Sequence, residues 1–89
     1  MNENLNPSLD EVETGGRFVV HSLCTQDCGT EWAAWLEELG FISGEQGQLM
    51  ARALPGGDPL VVRIGLSTFA LRRAEASCIR VRLHGEEQR

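Results

Sequence analysis

Three short stretches of this chain alternate apolar and other side chains with a period of two; a turn rich in Gly and Pro precedes the first, and Gly65 separates the first from the second. Leu60, Val62 and Ile64 alternate with Val61 and Arg63. Ser67 to Leu71 sends Phe69 and Leu71 to one side. Ile79, Val81 and Leu83 share a face, with Cys78, Arg80 and Arg82 opposite. A period of two is the pattern of a strand with one covered face. Two further runs read as strands. Arg17–Leu23 is rich in β-branched and apolar residues. Its alternation is weak, because Phe18, Val19 and Val20 are all apolar, so the strand is bent or covered on both sides. Gln48–Leu54 precedes the clearest turn, Pro55-Gly56-Gly57-Asp58-Pro59. Gly65 interrupts the next strand and marks a tight corner or bulge.

One segment has a different period. Trp32, Trp35, Leu36 and Leu39 fall at i, i+3, i+4 and i+7, one face of an α-helix. Thr30 suits the N-cap, with Glu31 in the first turn. Gly40 suits the residue that ends the helix. Glu31, Glu37 and Glu38 read as its wet side. About ten residues make a marginal helix alone, so its stripe must pack on something. At least one Trp is expected to cover the barrel end as core, and the other to reach the surface as an anchor for a partner. Cys24–Gly29 reads as a loop. Ser8-Leu9-Asp10-Glu11 fits a capping box before Gly15-Gly16, and Arg73–Ala76 reads as a helical turn.

The expected architecture is therefore mainly β with a helical insertion: about five strands closed into one small barrel, which hides strand edges and concentrates one core. A chain of 89 residues supports no more than that. Ten Gly suit tight turns, and with no Tyr and three Phe the core must be aliphatic. Residues 8–83 form the single domain, with a flexible N-terminal tail over 1–7 and a C-terminal tail over 84–89.

Chemistry is sparse. There is no ordered Ser/His/Asp set, no G-x-x-x-x-G-K and no H-E-x-x-H, so the chain reads as a non-enzyme. A Cys24–His21 nucleophile lacks an orienting group. His21, Cys24 and Cys28 form H-x2-C-x3-C, and thiolate and imidazole suit Zn²⁺ or Fe²⁺. Asp27, Glu31, Cys78, water or a second chain can supply a fourth ligand. The plain alternative is a strand His and two loop Cys without metal. A Cys24–Cys28 disulfide is disfavoured, because an odd cysteine count without a basic, apolar leader reads as reduced and cytoplasmic.

The net charge is −5, and every basic residue is Arg. Met1–Met50 carries one Arg against nine acidic residues; Ala51–Arg89 carries seven Arg against four. Overall acidity speaks against nucleic acid as a partner. Arg72, Arg73, Arg80 and Arg82 are candidates for a local basic patch. Arg72 and Arg73, with Trp32 and Trp35, are the candidate partner-binding residues.

Taken in order, Leu9, Gly15-Gly16, Leu39-Gly40, Gly44, Pro55–Pro59, Ala70-Leu71-Arg72, Glu75-Ala76, and Ile79 with Val81 resemble the pattern of the ferrous iron transport protein A (FeoA) family. One position departs: the family helix often has Arg where this chain has Trp35. The resemblance implies an SH3-like barrel and an accessory role without catalysis. It implies one partner, a membrane ferrous iron transporter with a cytosolic GTPase domain. The domain would be peripheral to the inner membrane only through that partner, and a monomer or weak dimer. No cofactor is required on this reading. The alternative is a metal-responsive module using His21, Cys24 and Cys28, since similar barrels end metal-dependent repressors. A module for Pro-rich peptides is disfavoured by the missing Tyr.

Overall fold

The computed structural model describes residues 6–83, and residues 25–28 by their backbone alone. The expected tails at 1–5 and 84–89 lie outside the described residues. A 3-10 turn, Leu9–Glu11, leads into β1 (Arg17–Leu23), α1 (Thr25–Leu39), β2 (Gln46–Arg52), β3 (Leu60–Ile64), β4 (Ser67–Leu71), α2 (Arg73–Ala76) and β5 (Ile79–Leu83).

All five strands join one antiparallel sheet in the order β4-β3-β2-β1-β5. Two bulges interrupt the sheet, one of them in β1 just past the weakly alternating Phe18–Val20. Val20 pairs with Val81 and Ser22 with Arg80, which leaves His21 as an extra residue. Leu49 pairs with Val62 and Ala51 with Val61, which leaves Met50 as another. Bulges of this kind kink a strand and increase its twist. The fold is barrel-like, but the sheet is not closed. β4 and β5 are its two ends, and α2 bridges them in the chain and buries Ala76. The free side of β5 is covered differently. Val81 N–H donates to Pro7 O (2.9 Å), and Ser8 bridges Arg80. The last two residues of the expected tail, Asn6 and Pro7, are thus tied to β5, Asn6 through its carbonyl to Arg80 Nη1 (3.2 Å).

The inward residues follow the alternation. Phe18, Val20, Leu49, Leu60, Val62, Ile64, Leu71, Ile79 and Val81 are buried, joined by Leu9, Val12, Leu36 and Phe41. Phe41 and Phe69 contact each other with ring centroids 6.3 Å apart. Gly47 shows why β2 needs glycine mid-strand. A Cβ there would lie 2.5 Å from Phe18 Cζ and 2.7 Å from the Arg63 carbonyl oxygen, so the Phe18 ring occupies the space. Arg52 fastens the 3-10 turn to β2: its Nη2 donates to the carbonyls of Asp10 (2.7 Å) and Val12 (2.8 Å).

Helix α1 starts earlier than its periodicity predicts. Residues 25–28 are helical, where a loop is expected, and Gly29 breaks the helix with φ 84° and ψ 161°. The amphipathic part then runs from Thr30 to Leu39. Its end matches the expectation at Gly40, which adopts φ 120°. Gly40 N–H donates to Glu37 O and Phe41 N–H to Leu36 O, both at 3.0 Å. That pair of bonds, with Leu36 and Phe41 both buried, is the Schellman arrangement. β2 begins two residues earlier than expected and ends two earlier, because Glu45 already bonds β1 through Val20 N–H at 2.8 Å.

Candidate functional site

The helix stripe divides between two tasks. Leu36 is fully buried and Leu39 packs on the core, so these two attach α1 to the barrel. Trp32 and Trp35 remain 41% and 39% exposed. The expectation that at least one Trp is core is not met. One turn of leucines suffices to seat this short helix, and the Trp positions lie toward its N-terminal end. The two indoles meet edge to face, with centroids 5.4 Å apart and planes at 78°. Such a pair holds its own shape by about 0.5–1.5 kcal/mol beyond area burial. Together with Glu31 and Glu75 they line an open groove of about 310 Å³.

Glu75 belongs to α2, so the groove spans both helices. Arg72 precedes α2, and its backbone N–H donates to Glu75 Oε1 (2.8 Å). Arg73 N–H donates to Asp58 Oδ1 (3.0 Å), which ties α2 to the Pro55–Pro59 turn. Both Arg side chains are exposed. The structure therefore brings the turn carrying Arg72 and Arg73 to the groove that Trp32 and Trp35 line, through Glu75. Arg80 and Arg82 do not join them: they sit on β5, and Arg80 is spent on the Asn6 carbonyl. Glu75 is legible in the sequence as the third residue of a short capped turn; its position beside the Trp pair is not.

The H-x2-C-x3-C set is arranged less favourably for a metal. His21 is the bulge residue of β1, and its Nδ1 lies 3.1 Å from Ser22 Oγ. Cys24 N–H donates to Cys78 O (2.7 Å), which holds the start of α1 beside the start of β5. The Cys28 side chain lies outside the described residues. Cys78, a candidate fourth ligand, is buried and disulfide-bonded, so its sulfur is no thiolate here. That bond also departs from the expectation of uniformly reduced cysteines. Among the described residues, no three His, Cys, Asp or Glu side chains gather as a metal site. No described helix is long and apolar enough to cross a membrane.

The comparisons with known proteins agree with this architecture. No curated protein matches the chain. Among solved structures, a zinc-complexed FeoA from Stenotrophomonas maltophilia, described as a prokaryotic SH3 domain protein, is 36% identical. The match covers 83% of this chain and 87% of that one, with a TM-score of 0.74. FeoA from Chlorobium tepidum is 29% identical over 85% of this chain and 69% of its own, with a TM-score of 0.75. A manganese-dependent transcriptional repressor, 18% identical, shares the fold alone; the match covers 89% of this chain and 42% of the repressor at a TM-score of 0.76. The family model for the FeoA domain matches residues 8–83, and the chain belongs to the FeoA family.

Proposed function

We propose that this chain is a small accessory protein of ferrous iron uptake that binds and modulates a membrane iron transporter through that transporter's cytosolic GTPase domain. The support for iron transport is the family match over 8–83 and the likeness to the Stenotrophomonas protein, which is described as a candidate activating factor for ferrous iron transport. The observation that carries the binding surface is the exposed Trp32–Trp35 pair. Two indoles at about 40% exposure, held edge to face, leave apolar area that the fold does not use. Trp is the residue type most enriched where a partner's binding energy concentrates. Arg72 and Arg73 extend the surface beyond the acidic groove wall and can meet carboxylates on the partner. The action is binding that shifts gating or assembly, without chemistry by this chain, and it takes place on the cytoplasmic side of the membrane.

A metal-responsive role is the second reading, and zinc in the Stenotrophomonas structure favours it. In this chain it would use His21, Cys24 and Cys28, and it requires the Cys78 disulfide to be reduced first, because that bond takes one of the other two cysteines.

The test is ferrous iron uptake by cells that express the transporter but lack this chain. Restoring the wild-type protein raises uptake, and restoring Trp32→Ala with Trp35→Ala does not. Equal uptake with and without the chain contradicts the accessory role. Rescue by the Trp variant removes the Trp surface from it.

A further inference from the structure

A second concave surface lies on the outer face of the sheet, and none of the candidate site residues described above forms it. Arg17 of β1 pairs with Gln48 of β2, and Gln48 pairs with Arg63 of β3. The three therefore stand in one row across neighbouring strands, outside the sheet because their neighbours Phe18, Leu49, Val62 and Ile64 face the core. Neighbouring strands lie about 4.8 Å apart, so the two Arg backbones flank Gln48 at about 10 Å from each other. Both Arg line an open cleft of about 570 Å³, with Gln46, Gln48, Glu45 and Leu66. That volume is within the range of about 300–1,000 Å³ typical of ligand sites.

Three observations point to an anionic occupant. The exposed guanidiniums of Arg17 and Arg63 have no hydrogen-bond or ion-pair partner among the described residues, unlike those of Arg52 and Arg80, which are bound to backbone carbonyls. Two cations share one concavity in a chain whose net charge is −5. Leu66, at the tip of the two-residue hairpin between β3 and β4, is 94% exposed at the rim. An apolar rim beside paired guanidiniums suits a segment that carries both a carboxylate and an apolar side chain. An anionic membrane or nucleic acid is a broad, like-charged surface that the whole protein repels. Glu45 at the cleft edge adds to that repulsion and limits the occupant to few carboxylates.

We propose that the Arg17–Gln48–Arg63 cleft binds a short acidic segment of a partner protein, with carboxylate on the guanidiniums, main chain against the Gln46 amide and the Gln48 Oε1 (its Nε2 donates to Gly15 O at 3.0 Å), and an apolar side chain on Leu66. This surface is separate from the Trp groove, so the two readings fail independently.

The experiment is an NMR titration of the ¹⁵N-labelled chain with the blocked peptide acetyl-Gly-Glu-Leu-Glu-Gly-amide. Expected are shifts confined to Arg17, Glu45–Gln48 and Arg63–Leu66, weakened by added salt. Replacing both peptide Glu by Gln, or Arg17→Gln with Arg63→Gln in the protein, weakens binding about tenfold or more. Glu45→Gln strengthens it. Absence of shifts at the cleft, or equal shifts with the Gln peptide, overturns the proposal. So does preferential binding of phosphatidylglycerol vesicles through the same two Arg, or a concentration-dependent self-association that the double Arg variant abolishes. The spectrum of the double variant without peptide reports that its fold is intact.

Discussion

Among the contacts that attach the first segment of the chain to the barrel, one depends on a single side chain. Arg52 reaches two carbonyls of the N-terminal turn with the two N–H groups of its Nη2. Arg52→Ala leaves the Asp10 and Val12 carbonyls without that donor and is expected to cost about 1–3 kcal/mol, read from the urea midpoint. Arg52→Lys recovers only part of it. Gly47 is the opposite case, a position where an added atom does the damage. The Phe18 ring and the Arg63 carbonyl fill the place of a side chain, so Gly47→Ala is expected to cost about 1–3 kcal/mol in the same assay. Neither role is legible in the sequence. Arg52 reads as an ordinary strand residue, and Gly47 as one Gly among ten, until the register places Phe18 opposite it.

The elements are more readable than their boundaries. β1, β3, β4 and α2 occupy the residues that alternation and composition indicate. The start of α1 escapes such a reading because residues 25–28 carry no stripe, and helical hydrogen bonds do not require one. The fate of the stripe escapes it too. Periodicity identifies which residues share a face, but not how far along that face the barrel extends. Here it reaches Leu36 and Leu39 and stops short of Trp32 and Trp35. The two halves therefore respond differently to truncation. Leu36→Ala is expected to cost about 2–5 kcal/mol, as for other fully buried leucines. Trp32→Ala is expected to cost about 1–2 kcal/mol, from the lost edge-to-face contact and partial burial, and to lower affinity for the partner. Comparable destabilisation by both would show that the Trp pair serves packing and not recognition.

For the whole molecule, the sequence shows a charge split between its halves, but the strand order decides where the charges meet. Arg17 comes from the acidic half and Arg63 from the basic half, and β2 brings them to one cleft between β1 and β3. The expected closure of the sheet does not occur: residues 7–8 bond the free side of β5, and α2 joins β4 to β5 only in the chain. The family is legible throughout the domain, because its Gly and Pro positions sit at the turns that shape the fold. The surface that engages a partner is legible only as a set of candidates, since exposure depends on packing that no local pattern records. The account predicts an exothermic, saturable calorimetric titration of this chain into the detergent-solubilised ferrous iron transporter, without added metal, that weakens about tenfold or more in the Trp32→Ala, Trp35→Ala variant. Absence of binding, or binding that the double variant retains in full, would contradict it.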